Sequence, residues 1–170
     1  MNKTILTYGL LSGALTSVLM IGTAAYFNAS QDTSNGALIG YTGIVLSMLL
    51  VYFGVRAYRE REASDGWGFG KAFQAGLLIT LISCVCYVVS WLLVYEFVMP
   101  DFMDKYIEQS LAQMRSSGLG EEQIQQQAAK MEEMREMYKN PFVRAGLTFL
   151  EPFPIGLLTT LVSALVLRKK

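Results

Sequence analysis

Long apolar stretches dominate the hydropathy pattern of this chain. Four of them are long enough to cross a bilayer, whose hydrocarbon core of about 30 Å takes roughly 20 helical residues. They lie at about 5–27, 36–57, 71–98 and 147–167. Each predicts a transmembrane helix, because a helix satisfies its backbone hydrogen bonds internally in lipid. The pattern therefore predicts an all-α integral membrane protein, a four-transmembrane-helix bundle that forms a single membrane domain over residues 1–170.

The first stretch also has the outline of a secretory signal peptide. Lys3 precedes it, and the small residues at 22–25 resemble a cleavage site. Its apolar part, however, is longer than the roughly 7–15 residues of a signal peptide. We therefore expect the stretch to be retained as a membrane helix.

The segment at about 101–139 is polar but keeps a helical period. In its first half, apolar residues recur every three to four positions, opposite charged ones. Gly118 then occupies the position of a C-terminal helix stop, and Glu121 and Glu122 suit the first turn of a second helix. The pattern predicts an amphipathic helical hairpin between transmembrane helices three and four.

Lysine and arginine are distributed unevenly among the connections. The connection at 28–35 has no cation, whereas Arg56, Arg59, Arg61 and Lys71 surround the second connection. Cytoplasmic loops of membrane proteins carry the excess of Lys and Arg. We therefore expect cytoplasmic N- and C-termini and an extracytoplasmic hairpin.

Composition narrows the chemistry that the chain can perform. It has 170 residues, 52% of them hydrophobic and 16% charged, with a formal net charge of zero and no histidine. The absence of histidine removes the commonest general base and metal ligand. Cys84 and Cys86 would point about 200° apart on a helix, which suits neither a disulfide nor a metal pair. We expect no enzyme activity, no cofactor and no nucleic-acid partner.

A glycine-rich loop follows the second stretch. The sequence REREASDGWGFGK at 59–71 lacks the glycine and the Ser or Thr that a phosphate-binding loop needs at fixed spacing. We expect instead a tight turn, in which Trp67 and Phe69 anchor the chain at the membrane interface.

Polar residues near the start of the fourth stretch form one candidate site. Asn140 and Pro141 predict an N-cap and the first residue of a short helix that carries Arg144. Pro152 predicts a break after Glu151 and disfavours the α region for that residue. Glu151 is either a functional carboxylate or a cap near the outer interface, and we expect the cap. The candidate polar site comprises Glu96, Arg144, Glu151, Pro152 and Pro154.

Methionines cluster around the hairpin, since six of the nine in the chain lie between Met99 and Met137. Soft-metal or partner binding and adaptable packing are the two interpretations, and the lack of nearby Cys or His favours packing. The apolar stripe of the hairpin could also contact a protein partner. The candidate partner surface comprises Phe102, Met103, Tyr106, Ile107, Met131 and Met134.

Small residues recur within the first two stretches. Their spacing permits close contact between helices, either inside the bundle or in a homo-oligomer. The residues are Gly9 and Gly13 in the first stretch, and Gly36, Gly40 and Gly43 in the second.

Several motifs together resemble one known family. They are GFGKAFQAGLLITLIS, MPDFMDKY, MREMYKNP and FLEPFPIGLLTTLVSALVLRKK. The chain is similar over nearly its whole length to the uncharacterised bacterial membrane family called domain of unknown function 4199. The resemblance implies a four-helix inner-membrane protein of Gram-negative bacteria with a helical insertion before the last helix. It implies no activity.

Two functions follow from these patterns. We expect a non-enzymatic inner-membrane protein, an envelope scaffold or accessory subunit that recruits a partner through the 100–140 hairpin. The alternative is a small transporter or ligand-binding membrane protein with an outward-facing polar site near Glu151. The lipid bilayer is a partner in both cases, and a protein partner or a second copy would bind through the hairpin or the small-residue helix faces.

Overall fold

The structure is a computed structural model that describes residues 2–30, 36–61 and 67–168. Throughout those ranges the regular elements are helices. They are α1 (Lys3–Ser30), α2 (Gly36–Arg61), α3 (Phe69–Phe97), α4 (Phe102–Ser116), α5 (Glu121–Tyr138), α6 (Pro141–Leu150) and α7 (Pro152–Leu167). The segments that are long and apolar enough to span a membrane are Lys3–Phe27, Leu38–Arg61, Phe69–Phe97 and Pro141–Leu167. This confirms the predicted all-helical architecture with four candidate membrane spans.

The fourth span is longer than the predicted 147–167 because it begins with a separate helix. Asn140 caps α6, since its Oδ1 accepts a hydrogen bond from the Phe142 N–H at 2.9 Å, and Pro141 is the first helical residue. Both features match the prediction. Pro152 has no N–H and interrupts the hydrogen-bond ladder, so α7 begins there. The fourth span is therefore two helices in succession.

The backbone at this break differs from the prediction. Glu151 has φ −71° and ψ −57°, which is α-helical rather than extended. Its N–H donates to the Thr148 carbonyl oxygen at 3.4 Å. Packing on both sides of the break overrides the extended preference of a residue before proline, because α6 packs against α3 and α5 while α7 packs against α2 and α3.

The core of the bundle lies between α1, α2, α3 and α7. Met48 and Val55 of α2 and Ile79 of α3 are fully buried there. The outer surface is apolar as well, and Val18 and Leu158 are 67% and 63% exposed. An apolar surface of this extent is compatible with contact with lipid.

Glycines allow α1 and α3 to approach closely. A Cβ on Gly9 would lie 2.8 Å from the Cβ of Ile82, and one on Gly13 would lie 2.5 Å from the Cβ of Cys86. At these two positions the small residues serve contacts within the bundle. Gly40, by contrast, has nothing within 4 Å of the position that a Cβ would occupy.

Hydroxyl groups link the helices inside the bundle. Ser12 Oγ of α1 donates to the Ser47 carbonyl oxygen of α2 at 2.9 Å and lies 3.0 Å from Ser83 Oγ of α3. The hydroxyls of Thr80 in α3 and Thr160 in α7 lie 3.1 Å apart. Such interhelical bonds contribute about 0.6 kcal/mol each in a membrane. They favour one register between helices whose apolar surfaces lipid would cover equally well.

One end of the bundle, termed the Trp67 end, is held by two polar contacts. Arg61 Nη1 donates to Thr4 Oγ1 at 3.2 Å, and the Trp67 Nε1–H donates to the Leu167 carbonyl oxygen at 3.0 Å. Trp67 is only 4% exposed, so the prediction that it anchors the chain at the membrane interface is wrong. Its indole N–H instead binds a carbonyl in the last turn of α7, where carbonyl groups have no donor within their own helix.

The opposite end, termed the hairpin end, carries α4 and α5. These helices pack against each other and run antiparallel, since Asp104 in the first turn of α4 pairs with Arg135 in the last turn of α5 at 2.8 Å. Gly118 between them has φ 75°, the left-handed conformation of a helix stop. The centre of the Phe102 ring lies 5.0 Å from that of Trp91 in α3, so the hairpin is fastened to the bundle.

The candidate partner surface packs largely within the protein. Four of its six residues are buried or partly buried: Phe102, Met103, Ile107 and Met131. Tyr106 and Met134 are 49% and 46% exposed. This distribution agrees with the packing interpretation of the methionine cluster and leaves two of the six side chains for an outside contact.

Candidate functional site

Two rows of side chains face each other at the hairpin end. They belong to α3 and α6, which pack together. Residues three or four apart on a helix share a face, and each row follows that spacing. With one tyrosine of α5 they form what we term the Arg144 site. Its members are Tyr87, Trp91 and Tyr95 of α3, Tyr138 of α5, and Arg144, Thr148 and Glu151 of α6 and its C-terminal boundary.

Arg144 is the cation of this cluster and is buried, with 7% of its surface exposed. Its guanidinium carbon lies 3.9 Å from the centre of the Tyr95 ring and 5.9 Å from the centre of the Tyr138 ring. Contacts of this kind contribute about 0.5–1 kcal/mol at exposed sites and about 2 kcal/mol where water is excluded. The two tyrosines therefore hold the plane of the guanidinium.

Two nitrogens of the guanidinium have no hydrogen-bond acceptor in the protein. Over the described ranges, the buried side-chain nitrogen and oxygen atoms without a hydrogen-bond partner are Arg144 Nε, Arg144 Nη1 and Thr148 Oγ1. The two residues that carry these three atoms lie on one face of α6, one turn apart. A buried donor without an acceptor costs about 1–3 kcal/mol, and more when it is charged. This face of α6 is therefore suited to a group that supplies acceptor oxygens.

The hydroxyl of Tyr138 closes one side of the site. Trp91 Nε1–H donates to it at 2.7 Å. Burial raises the pKa of the Tyr138 phenol, while the Trp91 bond and the nearby Thr148 hydroxyl act in the opposite direction. Thr148 is close enough to affect that pKa but makes no hydrogen bond within 3.5 Å. The Tyr138 phenol is therefore uncharged, and the hydrogen bond from Trp91 fixes its orientation.

The predicted capping role of Glu151 is not found. Glu151 is the N-cap residue of α7, yet its side chain makes no cap hydrogen bond. An N-cap side chain normally accepts from the second or third helical N–H of an extended residue. Here the residue is α-helical, and the third position, Pro154, has no N–H. The carboxylate instead accepts a hydrogen bond from Tyr87 Oη–H at 2.8 Å.

Glu151 and Arg144, the acid and the cation of the site, do not pair with each other. None of the five ion pairs found among the described residues includes Arg144 or Glu151. The two residues are seven positions apart, which is about 10 Å along a helix. Arg144 therefore keeps its donors for a group other than Glu151.

The length of α3 indicates the depth of the site. Its 29 residues extend about 43 Å, close to the roughly 40–45 Å of a bilayer with its headgroups. Tyr95 is two residues from the end of α3, so Arg144 lies near the hairpin end of that helix. Tyr87 lies eight residues, or about 12 Å, farther from that end. Glu151, which binds Tyr87, is therefore farther from the hairpin end than Arg144.

The remaining residues of the predicted polar site lie apart from this cluster. Glu96 follows Tyr95 and projects about 100° around the helix from it, and its side chain is exposed. Pro152 is buried in the helix packing and Pro154 is exposed. Of the five predicted residues, the structure brings Arg144 and Glu151 into one site.

The aromatic members of the site were missed by the sequence reasoning. Tyr87, Trp91 and Tyr95 stand at a spacing of four in an apolar stretch, where aromatic residues are common and Trp and Tyr near an end fit interfacial belts. A shared spacing with Arg144, Thr148 and Glu151 is the signal that would have pointed to them. No group of three or more Cys, Asp or Glu side chains able to hold a metal ion occurs within the parts of the chain that the structure describes.

Comparison with known proteins gives a family and no assigned activity. The family model described as "Protein of unknown function (DUF4199)" matches residues 7–169. No curated protein and no solved structure matches the chain. Since the matched range covers almost all of the 170 residues, the chain belongs to the DUF4199 family.

Proposed function

We propose that this protein binds an anionic ligand at the Arg144 site and acts without catalysis, as a multi-pass membrane protein that recognises that ligand. One observation carries the proposal: Arg144 is 7% exposed, and two nitrogens of its guanidinium have no acceptor. A buried charge without a partner is strongly unfavourable. An oxyanion of a ligand would supply both the counter-charge and the acceptors.

Each neighbour of Arg144 has a distinct part in this proposal. Tyr95 and Tyr138 hold the guanidinium plane, so that its orientation is fixed before the ligand arrives. Thr148 adds a hydroxyl donor one turn along α6. Tyr87 binds the Glu151 carboxylate, which makes no ion pair with Arg144 that would compete with the ligand.

The hairpin supports a function less strongly than the Arg144 site does. Its two helices pack on each other, α5 also packs on α6, and Phe102 contacts Trp91 of α3. Tyr106 and Met134 alone among the candidate partner residues are exposed. An envelope scaffold that recruits a protein through the hairpin remains a hypothesis of ours. The unpartnered donors of Arg144 favour ligand binding over it.

We expect the ligand to copurify with the protein in a mild detergent. After purification in dodecyl maltoside and extraction with organic solvent, mass spectrometry should find an acidic compound at close to one mole per mole of wild-type protein. Arg144→Gln removes the charge and should lower that amount at least tenfold. A hydrogen bond to a charged group contributes about 1.5–3 kcal/mol, and two such bonds account for a loss of that size.

Arg115→Gln is the matched control, because Arg115 is an exposed arginine of α4. It should retain the wild-type amount of the compound. Gel filtration should show that both variants remain monodisperse, and Arg144→Lys, which keeps the charge but not the planar fork, serves if Arg144→Gln does not fold. Equal amounts of every acidic compound in wild-type protein and in the Arg144 variant would contradict the proposal.

We further propose that the Trp67 end faces the cytoplasm and the hairpin end faces outward, in a bacterial inner membrane. The Trp67 end gathers Lys3, Arg56, Arg59, Arg61 and Lys71, as cytoplasmic ends do. The hydrogen bond from Arg61 to Thr4 supports this grouping, because it joins the end of α2 to the start of α1. Family membership and the multi-pass helical architecture support the choice of membrane.

Cysteine labelling in intact spheroplasts tests this orientation. In a background that lacks Cys84 and Cys86, a cysteine at Ser117 should react with an impermeant thiol reagent, because Ser117 is exposed in the hairpin turn. A cysteine at Glu60, exposed at the Trp67 end, should react only after the membrane is permeabilised. The reverse pattern would overturn the orientation.

A further inference from the structure

We propose that the anionic group bound by Arg144 is the phosphate of a lipid that enters the site sideways from the bilayer. The inference rests on the proposed function and specifies its ligand. It is carried by three observations: the depth of Arg144, the apolar surface beside it, and the donors that its guanidinium and Thr148 present.

Depth selects a group that resides in the headgroup layer. Arg144 stacks on Tyr95, two residues from the end of a helix whose 29 residues match the full thickness of a bilayer. Lipid phosphates occupy this layer. A phosphate at that level needs no passage through the hydrocarbon core to reach the guanidinium.

Apolar side chains on α6 and α7 continue from the site along the outside of the bundle. Leu147 lies about 60° around α6 from Arg144 and is 39% exposed. Leu158 and Val162 extend the surface along α7 at 63% and 57% exposed. Acyl chains attached to a phosphate at Arg144 would lie along this surface.

The charges of the site restrict how deep the phosphate sits. Glu151 lies two turns beyond Arg144 on the same helical path, and its carboxylate is held by Tyr87 at 2.8 Å. A negative group that moved deeper would approach this carboxylate and lose the guanidinium. Arginine binds phosphate through several N–H donors, and Nε, Nη1 and the Thr148 hydroxyl lie together here.

Three probes, added in phosphate-free maltoside micelles to protein that prolonged detergent washing has freed of copurifying lipid, separate the sources of the phosphate. The first is phosphatidylglycerol, the second is diacylglycerol with the same chains, and the third is glycerol 3-phosphate. We expect phosphatidylglycerol alone to raise the melting temperature of the wild-type protein, by roughly 5 °C near saturation. Diacylglycerol lacks the phosphate and glycerol 3-phosphate lacks the chains, so neither should produce the shift.

The shift should disappear in Arg144→Gln and persist in Arg115→Gln, which alters an exposed arginine of α4. Arg144→Lys should keep only part of it and provides the test if Arg144→Gln is unstable. An equal shift with glycerol 3-phosphate would overturn the lipid and leave a soluble phosphate as the ligand. An equal shift with diacylglycerol, or an unchanged shift in both Arg144 variants, would overturn the role of Arg144. No shift with any probe in the washed protein, together with a copurifying acidic compound that contains no phosphorus, would overturn the phosphate while the proposed function stands.

Discussion

Trp67→Ala should destabilise the protein by about 3–5 kcal/mol, the usual cost of deleting a buried aromatic side chain. Trp67 is 4% exposed, and its ring centre lies 5.6 Å from that of Tyr58. The indole N–H also donates to the Leu167 carbonyl at 3.0 Å. The substitution therefore removes packing and a polar contact that ties α7 to the start of α3. Unfolding in mixed micelles with increasing denaturing detergent should show the loss as a shift of the midpoint.

Two further substitutions separate the contributions at this position. Trp67→Phe keeps most of the ring packing and removes the N–H, so it should cost about 1 kcal/mol. Phe142→Ala removes an aromatic ring that is 85% exposed and should change stability little in the same assay. If Trp67→Ala behaves like Phe142→Ala, Trp67 does not fasten the end of α7.

Gly156→Ala is expected to destabilise the bundle by about 1–3 kcal/mol, as overpacked cores do. An added Cβ would lie 2.4 Å from Thr80 Cγ2 and 3.1 Å from Met48 Sδ. Thr80 cannot simply turn away, because its hydroxyl donates to the Gly156 carbonyl at 3.3 Å and lies 3.1 Å from the Thr160 hydroxyl. Relief of the clash must therefore move α7 away from α3 or break these bonds.

Gly146→Ala is the matched control for this prediction. Gly146 is also a helical glycine of the fourth span, but nothing lies within 4 Å of the position that its Cβ would occupy. Alanine favours helix by about 1 kcal/mol over glycine, so this variant should melt at the wild-type temperature or above it. Equal melting temperatures for Gly156→Ala and Gly146→Ala would show that α3 and α7 do not pack as closely as described.

The sequence predicts the spans and several helix ends correctly because those features depend on local chemistry. A charge-free stretch of sufficient length has few alternatives to a membrane helix. Asn140 accepts a hydrogen bond from an N–H group two residues away, and Pro141 starts the helix beside it. Gly118 ends a helix through its own backbone conformation. No distant part of the chain has to be known for these predictions.

The wrong and missing predictions all depend on contacts between distant residues. Trp67 fits an interfacial belt by composition, yet its partner is 100 residues away. Glu151 has the position of a cap, but Tyr87 is within reach and Pro154 offers no N–H. Arg144 could be named from its rarity, whereas Tyr95 and Tyr138 join it only because α3, α5 and α6 meet.

The break at Pro152 divides the fourth span mechanically. α7 is joined to the core through Thr160 and Gly156, whereas α6 contacts α3 and α5 and continues into α5 through two residues. A force applied at Arg144 would therefore act on α6, which would turn about the joint at 151–152. A rotation of α6 about this joint would displace the hairpin and break its ring contacts with Trp91 and Tyr95 of α3, while the Thr80 to Thr160 contact would stay unstretched.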